Sequence, residues 1–169
     1  MNTPQNTPSR AKRRHKNAHK HTKRPPKGSQ TKNNPRHFYD VRLYALLTDS
    51  ESNLLILQLP KEYDESAANT WTLPGGKLEP TDEPAHGLLR EIREETGLEA
   101  TISGLCGLAR WSTRNSKKLA IFYKAQVSGQ KPTLKLSGEH QRAIWINPQE
   151  ADQFPFHRPD MLTIIKEKN

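Results

Sequence analysis

The chain has 169 residues, carries 27 Lys or Arg against 18 Asp or Glu for a net charge of +9, and is only 32% hydrophobic. That length suits one domain with a sizeable core, and the low apolar content means that part of the chain stands outside it. A single Cys excludes an intrachain disulfide and suits a reducing compartment, while no run of 18 apolar residues and no signal-peptide core supports a membrane span or secretion.

The basic excess is local. Residues 1–37 hold eleven Lys or Arg, from Arg10 to Arg36, and no Asp or Glu. The other 16 basic and 18 acidic residues leave a net charge of −2 on 38–169. The apolar residues of the first segment are Met1, Ala11 and Ala18, and Pro4, Pro8, Pro25, Pro26 and Pro35 interrupt it. Such a stretch buries too little surface to offset the entropy of ordering, so 1–37 reads as a disordered basic tail and 38–169 as the folded domain. Two roles stay open for the tail. It solubilises the domain, or residues 10–36 attach it to a nucleic acid by neutralising phosphates. No aromatic residue interleaves those charges, so base stacking within the tail is not indicated. The location expected is cytoplasmic, and Lys12-Arg13-Arg14-His15-Lys16 would fit a nuclear signal in a eukaryotic source.

From Asp40 the composition turns globular. Val41–Leu47 reads as a strand, 49–53 as a turn, and Leu54–Leu59 as a second strand. A polar loop over 60–70 leads to a short strand at Trp71–Leu73, ended by Pro74-Gly75-Gly76. A helix follows, with Thr81 or Asp82 as its cap, Pro84 in its first turn and Gly97 at its exit. Leu88, Leu89 and Ile92 gather on one side of it, with Ala85 beside them. Strands follow at Gly104–Trp111 and Leu119–Val127, then a loop over 128–141, a strand at Ala143–Ile146, a short helix starting near Asn147-Pro148, and a closing helix at Met161–Lys168. Cys106 lies in an apolar strand and reads as buried and inert.

The chemistry concentrates on the central helix. Glu91, Glu94 and Glu95 stand at i, i+3 and i+4, so like charges crowd one side and weaken the helix by a few tenths of a kcal/mol per pair. Arg90 and Arg93 could offset this as plain salt-bridge partners. A hard divalent cation would do so better, since Mg²⁺ is usually held by a few carboxylates together with substrate phosphates.

The whole string decides the reading. Gly76, then Arg90-Glu91-Ile92-x-Glu94-Glu95-x-Gly97-Leu98, resembles the signature box of the Nudix hydrolases, and Trp71 to Lys77 resembles the strand and turn that lead into it. One fixed place departs: Asp82, with Glu83 next to it, stands where the family has its first glutamate. The resemblance implies an α/β Nudix fold, a mixed β-sheet sandwiched between helices. It implies a phosphoric anhydride hydrolase, a Mg²⁺-dependent (or Mn²⁺-dependent) pyrophosphohydrolase cleaving a nucleoside diphosphate linked to another moiety: an NTP, an NDP-sugar or a dinucleoside polyphosphate.

By the same resemblance Glu91, Glu94 and Glu95 face the metal, with the Gly76 carbonyl as a further ligand, and Arg90 orients the glutamates. The general base is either a box glutamate or an acid in a later loop, where Glu139 stands, with His140 beside it. Glu83 stands ready to substitute for the missing glutamate. For the nucleotide itself, Arg110, Trp111 and Arg114 flank a turn and are the substrate-binding candidates, with Tyr63, Phe122 and Tyr123 as further aromatics. Two alternatives remain: an RNA 5′-end pyrophosphohydrolase tethered by the basic tail, and a non-catalytic Nudix-fold module that senses a nucleotide.

Overall fold

A computed structural model describes residues 38–62 and 66–168. The expectations for the basic tail over 1–37, including nucleic-acid attachment through 10–36, and for Tyr63 lie outside the described residues. The domain is built on a six-stranded mixed sheet. Its strands are β1 (Tyr39–Thr48), β2 (Leu54–Gln58), β3 (Trp71–Thr72), β4 (Ala100–Ser112), β5 (Lys117–Val127) and β6 (Arg142–Ile146), and its helices are α1 (Pro84–Thr96) and α2 (Pro159–Lys168), with a 3-10 turn at Pro148–Gln153. The strands run in the order β3-β2-β1-β5-β4, and β6 also pairs β2. β1 and β5 run parallel, from Tyr39 beside Lys117 to Thr48 beside Gln126, and the other pairs are antiparallel.

β1 serves both layers because alternate residues of a strand point to opposite faces. Leu43, Ala45 and Leu47 pack with Leu88 and Ile92 of α1, while Leu46, with Tyr44 beside it, packs with Phe122 and with Met161, Ile164 and Ile165 of α2. The sheet therefore lies between two helices, as the sequence resemblance implies. Phe122 is fully buried and stacks on Tyr44 with ring centroids 5.5 Å apart. Half-buried Tyr123 packs on the α1 side, so both are core residues. Cys106 is half-buried, and burial pushes its thiol pKa up, in keeping with an inert role. No helix among the described residues is long and apolar enough to cross a membrane.

The cap of α1 differs from expectation. It is Glu83, whose carboxylate accepts from the N–H groups of Ala85 (3.0 Å) and His86 (3.4 Å). The reason is Pro84, which takes the first helical position and forces the preceding residue into extended backbone; Glu83 has φ −75° and ψ 133°. At the other end Gly97 sits at φ 70° and donates to the Arg93 carbonyl, closing the helix where the sequence places its exit.

Candidate active site

Three pieces of backbone bring the acidic residues together. The first is the segment after β3, which runs along the middle of β1. Ala45 N–H donates to the Pro74 carbonyl and Leu43 N–H to the Gly76 carbonyl, each at 2.8 Å, and Leu78 N–H donates to the Val41 carbonyl at 3.0 Å. This close approach tolerates no side chain at residue 75. A Cβ there would lie 2.0 Å from the Leu43 carbonyl oxygen, and φ of +144° is a conformation open in practice to glycine. At residue 76 the neighbour is a side chain, since a Cβ would fall 2.4 Å from the Glu91 carboxylate.

The second piece is α1. Its apolar side is buried, which fixes the rotation of the helix and turns Glu91 and Glu95 toward the glycine turn. Glu95 is buried, and its carboxylate accepts from Gly75 N–H at 2.8 Å. Arg90 gathers three acids: it lies 3.1 Å from Asp82, 2.9 Å from Glu91 and 3.0 Å from Glu94. Asp82, though one methylene shorter than the residue of the family pattern, reaches Arg90. Glu83 does not substitute for it, because Glu83 is engaged as the helix cap.

The third piece is the loop after β5. The last carbonyls of a helix lack intrahelical partners. Here Lys135 N–H donates to the Thr96 carbonyl and Ser137 N–H to the Glu95 carbonyl, both at 2.9 Å, before Gln141 enters β6 by bonding the Gln58 carbonyl. That tie carries Glu139 and His140 to the same place as Glu95.

The result is a cavity of about 540 Å³ whose lining includes Gly75, Gly76, Glu91, Glu95, Glu139 and His140, together with Arg42, Tyr44, Lys77 and His157. Its electrostatics are uneven. Burial raises the pKa of Glu95 to about 8 against the pull of the Gly75 N–H, and the charges of Glu91, Glu139 and Glu94 add to the rise. Burial also raises that of Glu91, opposed by Arg90 and reinforced by Glu94 and Glu139. His140 approaches Glu95 to 3.7 Å, yet burial pushes its pKa down, so at neutral pH the pair joins two neutral groups. Arg42 and Lys77, on the same lining, also lie near Asp40. Its carboxyl is held below the ordinary range although burial opposes this, chiefly by hydrogen bonding to Lys118 and then by the charges of Arg42, Lys118 and Lys77.

This donor set fits a hard divalent cation. Burial first, and then the repulsion among the carboxylates, raises the pKa values of Glu95 and Glu91, with Arg90 only partly opposing the rise at Glu91, and that is a field a dication relieves. Among the described residues no three His, Cys, Asp or Glu side chains close into a metal cage. An open wall is what Mg²⁺ chemistry uses, since that ion keeps several waters and substrate oxygens.

The sequence candidates divide. Gly76, Glu91, Glu95, Glu139 and His140 line one cavity. Arg90 and Glu94 stand behind it: the Glu94 side chain is 59% exposed, and its carboxylate is turned to Arg90. The structure does not bring Arg110, Trp111 and Arg114 to the carboxylates. Arg110 and Trp111 line a separate cleft, Arg114 lines another, and the Arg158 guanidinium covers one face of the Trp111 ring at 3.2 Å from its centroid. Adjacency to a turn does not say which cleft a strand end faces.

Arg42, Tyr44, Lys77 and His157 are cavity residues that the sequence does not single out. The available signal for the first two is polar residues at period two on an otherwise apolar strand. For His157 the sequence carries none: it arrives because Trp71 N–H bonds the Pro155 carbonyl (2.8 Å) and His157 N–H the Trp71 carbonyl (2.7 Å).

Comparison with known proteins agrees with this architecture. The family model described as "NUDIX domain" matches residues 38–167. A CTP pyrophosphohydrolase of Escherichia coli is 31% identical over 121 residues, which cover 72% of this chain and 86% of that protein. An asymmetrical bis(5'-nucleosyl)-tetraphosphatase of Mus musculus is 36% identical over 87 residues, 49% of this chain and 59% of that protein. Among solved structures, a MutT protein from Methanosarcina mazei superposes with a TM-score of 0.66 at 24% identity, covering 78% of this chain and 93% of that one.

Proposed function

Since the chain belongs to the NUDIX family of hydrolases, we propose that it cleaves the phosphoric anhydride of a nucleotide-type substrate with Mg²⁺ or Mn²⁺ bound in the carboxylate cavity. The observation that carries this reading is the cavity itself, with Glu91, Glu95 and Glu139 on its wall and Arg42 and Lys77 on the same lining. Glu91, Glu95 and the Gly76 carbonyl would hold the cation, and Glu94, now paired with Arg90, would be a further ligand. A bound dication screens phosphate charge and lowers the pKa of a coordinated water. Gly75 N–H aims the buried Glu95 and Arg90 aims the half-buried Glu91, so the geometry is set before substrate arrives. Glu139 is exposed on the cavity wall and takes the proton from the attacking water, the general base of this reading. Arg42 and Lys77 receive the phosphate oxygens remote from the metal, and Tyr44 offers a ring at the same wall.

A nucleoside triphosphate is the first substrate to test, because the E. coli relative named as a CTP pyrophosphohydrolase matches along 86% of its length. The experiment incubates full-length protein with NTPs, NDP-sugars and dinucleoside polyphosphates, with Mg²⁺, with Mn²⁺ and with chelator, and follows nucleoside monophosphate by chromatography. Release that needs the metal and favours one class is the expected result. Release undiminished by chelator would overturn the metal reading, and tight binding without turnover would return the sensing-module reading.

The basic tail favours a second substrate, the 5′-triphosphate end of RNA. Its eleven cations with no acid supply salt-dependent affinity for a polymer and none that a free nucleotide requires. Removing residues 1–36 should then slow action on triphosphorylated RNA and spare NTPs; an equal effect on both would end this reading.

A further inference from the structure

The strands also end at a surface of the opposite character. Phe38 is 80% exposed and Tyr39 42% exposed at the start of β1. The parallel register sets Tyr39 beside Lys117, and the antiparallel register sets Lys117 beside Ser112, so this end of β1 lies against the β4–β5 hairpin. Two adjoining clefts result. One, of about 330 Å³, is walled by Tyr39, Arg110, Trp111 and Lys117; the other, of about 390 Å³, by Phe38, Arg114 and again Lys117. No Asp or Glu lines either cleft among the described residues, whereas the cleft on the other side of the same two rings, lined by Phe38 and Tyr39, also carries Asp40, Glu79 and Asp82. Asp40, the nearest acid along β1, is engaged by Lys118 and Arg42. The Arg158 guanidinium packed on Trp111 holds that ring in place.

A single exposed aromatic on a surface is ordinary. Two exposed rings and a fixed third, with cations and no carboxylate on their hairpin side, form the combination that binds single strands: a plane for each base and a cation for each phosphate. A second fact points to the same ligand. Phe38 covalently follows 37 residues that carry eleven positive charges and no negative one. The tail has cations without aromatics, and the strand end has the aromatics.

We propose that this end of the sheet binds single-stranded nucleic acid, with Phe38 and Tyr39 as stacking planes for bases and Arg110, Arg114 and Lys117 as phosphate-binding cations. The inference does not rest on the hydrolase chemistry, because none of these five residues lines the carboxylate cavity.

The test is fluorescence anisotropy of the full-length chain with short labelled single strands of RNA and of DNA, a duplex of the same sequence, and polyglutamate as competitor, across a salt series. The wild-type chain should bind both single strands more tightly than duplex, and a preference between RNA and DNA names the natural source. Phe38→Ala with Tyr39→Ala should weaken single-strand binding by about tenfold at every salt concentration, leaving the slope of log K against log salt unchanged. Arg110→Ala with Arg114→Ala should flatten that slope by roughly 0.7 for each phosphate that is no longer neutralised. Both rings are exposed, so an unchanged melting temperature would show that the double variant is folded. Unchanged affinity in the Phe38/Tyr39 variant would overturn the proposal, as would equal affinity for duplex or full displacement by polyglutamate. A concentration-dependent dimer of the wild type, abolished in that variant without change in nucleic-acid binding, would also overturn it and give the surface to self-association.

Discussion

The carboxylate cavity and the aromatic strand end share β1 and differ in almost everything else. In the cavity, carboxylates are gathered together and Glu95 is withdrawn from water. Glu95 is buried and fixed by a backbone N–H, and Glu91 is clamped by Arg90. At the strand end, the rings of Phe38 and Tyr39 stand in solvent beside the cations of the β4–β5 hairpin. The same charge has a large energetic effect where water is excluded and a small, salt-sensitive one where it is not. Changes in the cavity should therefore act steeply on chemistry, and changes at the strand end should act gently on polymer binding.

The largest effect tests the order of burial within the cavity. Glu91→Gln and Glu95→Gln keep the shape and remove the charge, and each should lower kcat by about 10²- to 10⁴-fold. Glu94→Gln should lower it by roughly 10- to 100-fold, because that carboxylate is exposed and works through Arg90 until metal draws it in. Steady-state kinetics on the best nucleotide decides the matter. A Glu94 effect equal to that of Glu95 would mean that the three glutamates act alike and that burial does not rank them.

Next comes the glycine turn, where two neighbours should fail in different ways. Gly75→Ala drives a methyl group into the Leu43 carbonyl from a strained backbone and should cost about 3 kcal/mol or more of stability, read by denaturant unfolding. The nearest atoms to the new methyl group of Gly76→Ala are those of the Glu91 carboxylate, the end of a side chain. This substitution should leave the melting temperature nearly unchanged and lower kcat by roughly 100-fold. Loss of fold in both, or in neither, would show that the turn does not separate support from chemistry.

The pH dependence of stability is smaller. Glu95 titrates at about 8 in the metal-free domain, against an ordinary 4.5. The folded state thus keeps a proton that the unfolded chain has released. Its contribution to stability is full below about pH 4.5 and is lost as pH rises through about 8. Metal binding reverses the preference, so Mg²⁺ should raise the melting temperature more at about pH 9 than at about pH 6. His140 acts in the other direction, since its lowered pKa removes stability as pH falls below its ordinary 6.5. Thermal melts of Glu95→Gln separate the two: the alkaline loss should vanish and the acid limb remain.

Much of the cavity was legible because its chemistry sits on one helix and one turn, where spacing along the chain is spacing in space. Leu88 and Ile92 orient the helix, Gly97 ends it, and Glu91 and Glu95 follow. The strands were legible as short apolar runs bounded by polar turns, such as Val41–Leu47 and Leu54–Leu59 around 49–53. What was not legible comes from register and loops. Arg42 and His157 line the same cavity as Glu95 because β1 and the 155–157 segment are paired to distant backbone, and no local pattern in the sequence encodes that pairing. The cap departs from expectation because Pro84, one residue on, overrides the usual preference for a short polar side chain.

Arg110 and Arg114 give the finest test, because the sequence pattern and the structure assign them different ligands. Were they substrate-binding residues for a free nucleotide, removing both should raise KM by about tenfold, the effect of deleting a charge-assisted phosphate hydrogen bond. In the structure both are exposed and neither lines the carboxylate cavity. Their charges reach the metal site only through solvent, where salt at physiological strength screens them over about 8 Å. Arg110→Ala with Arg114→Ala should therefore leave kcat and KM for an NTP within about twofold of wild type. A tenfold rise in KM would return the hairpin to the active site and imply that the loop closes on bound nucleotide. An unchanged KM beside a flattened salt dependence for single strands would show two ligand surfaces on one sheet.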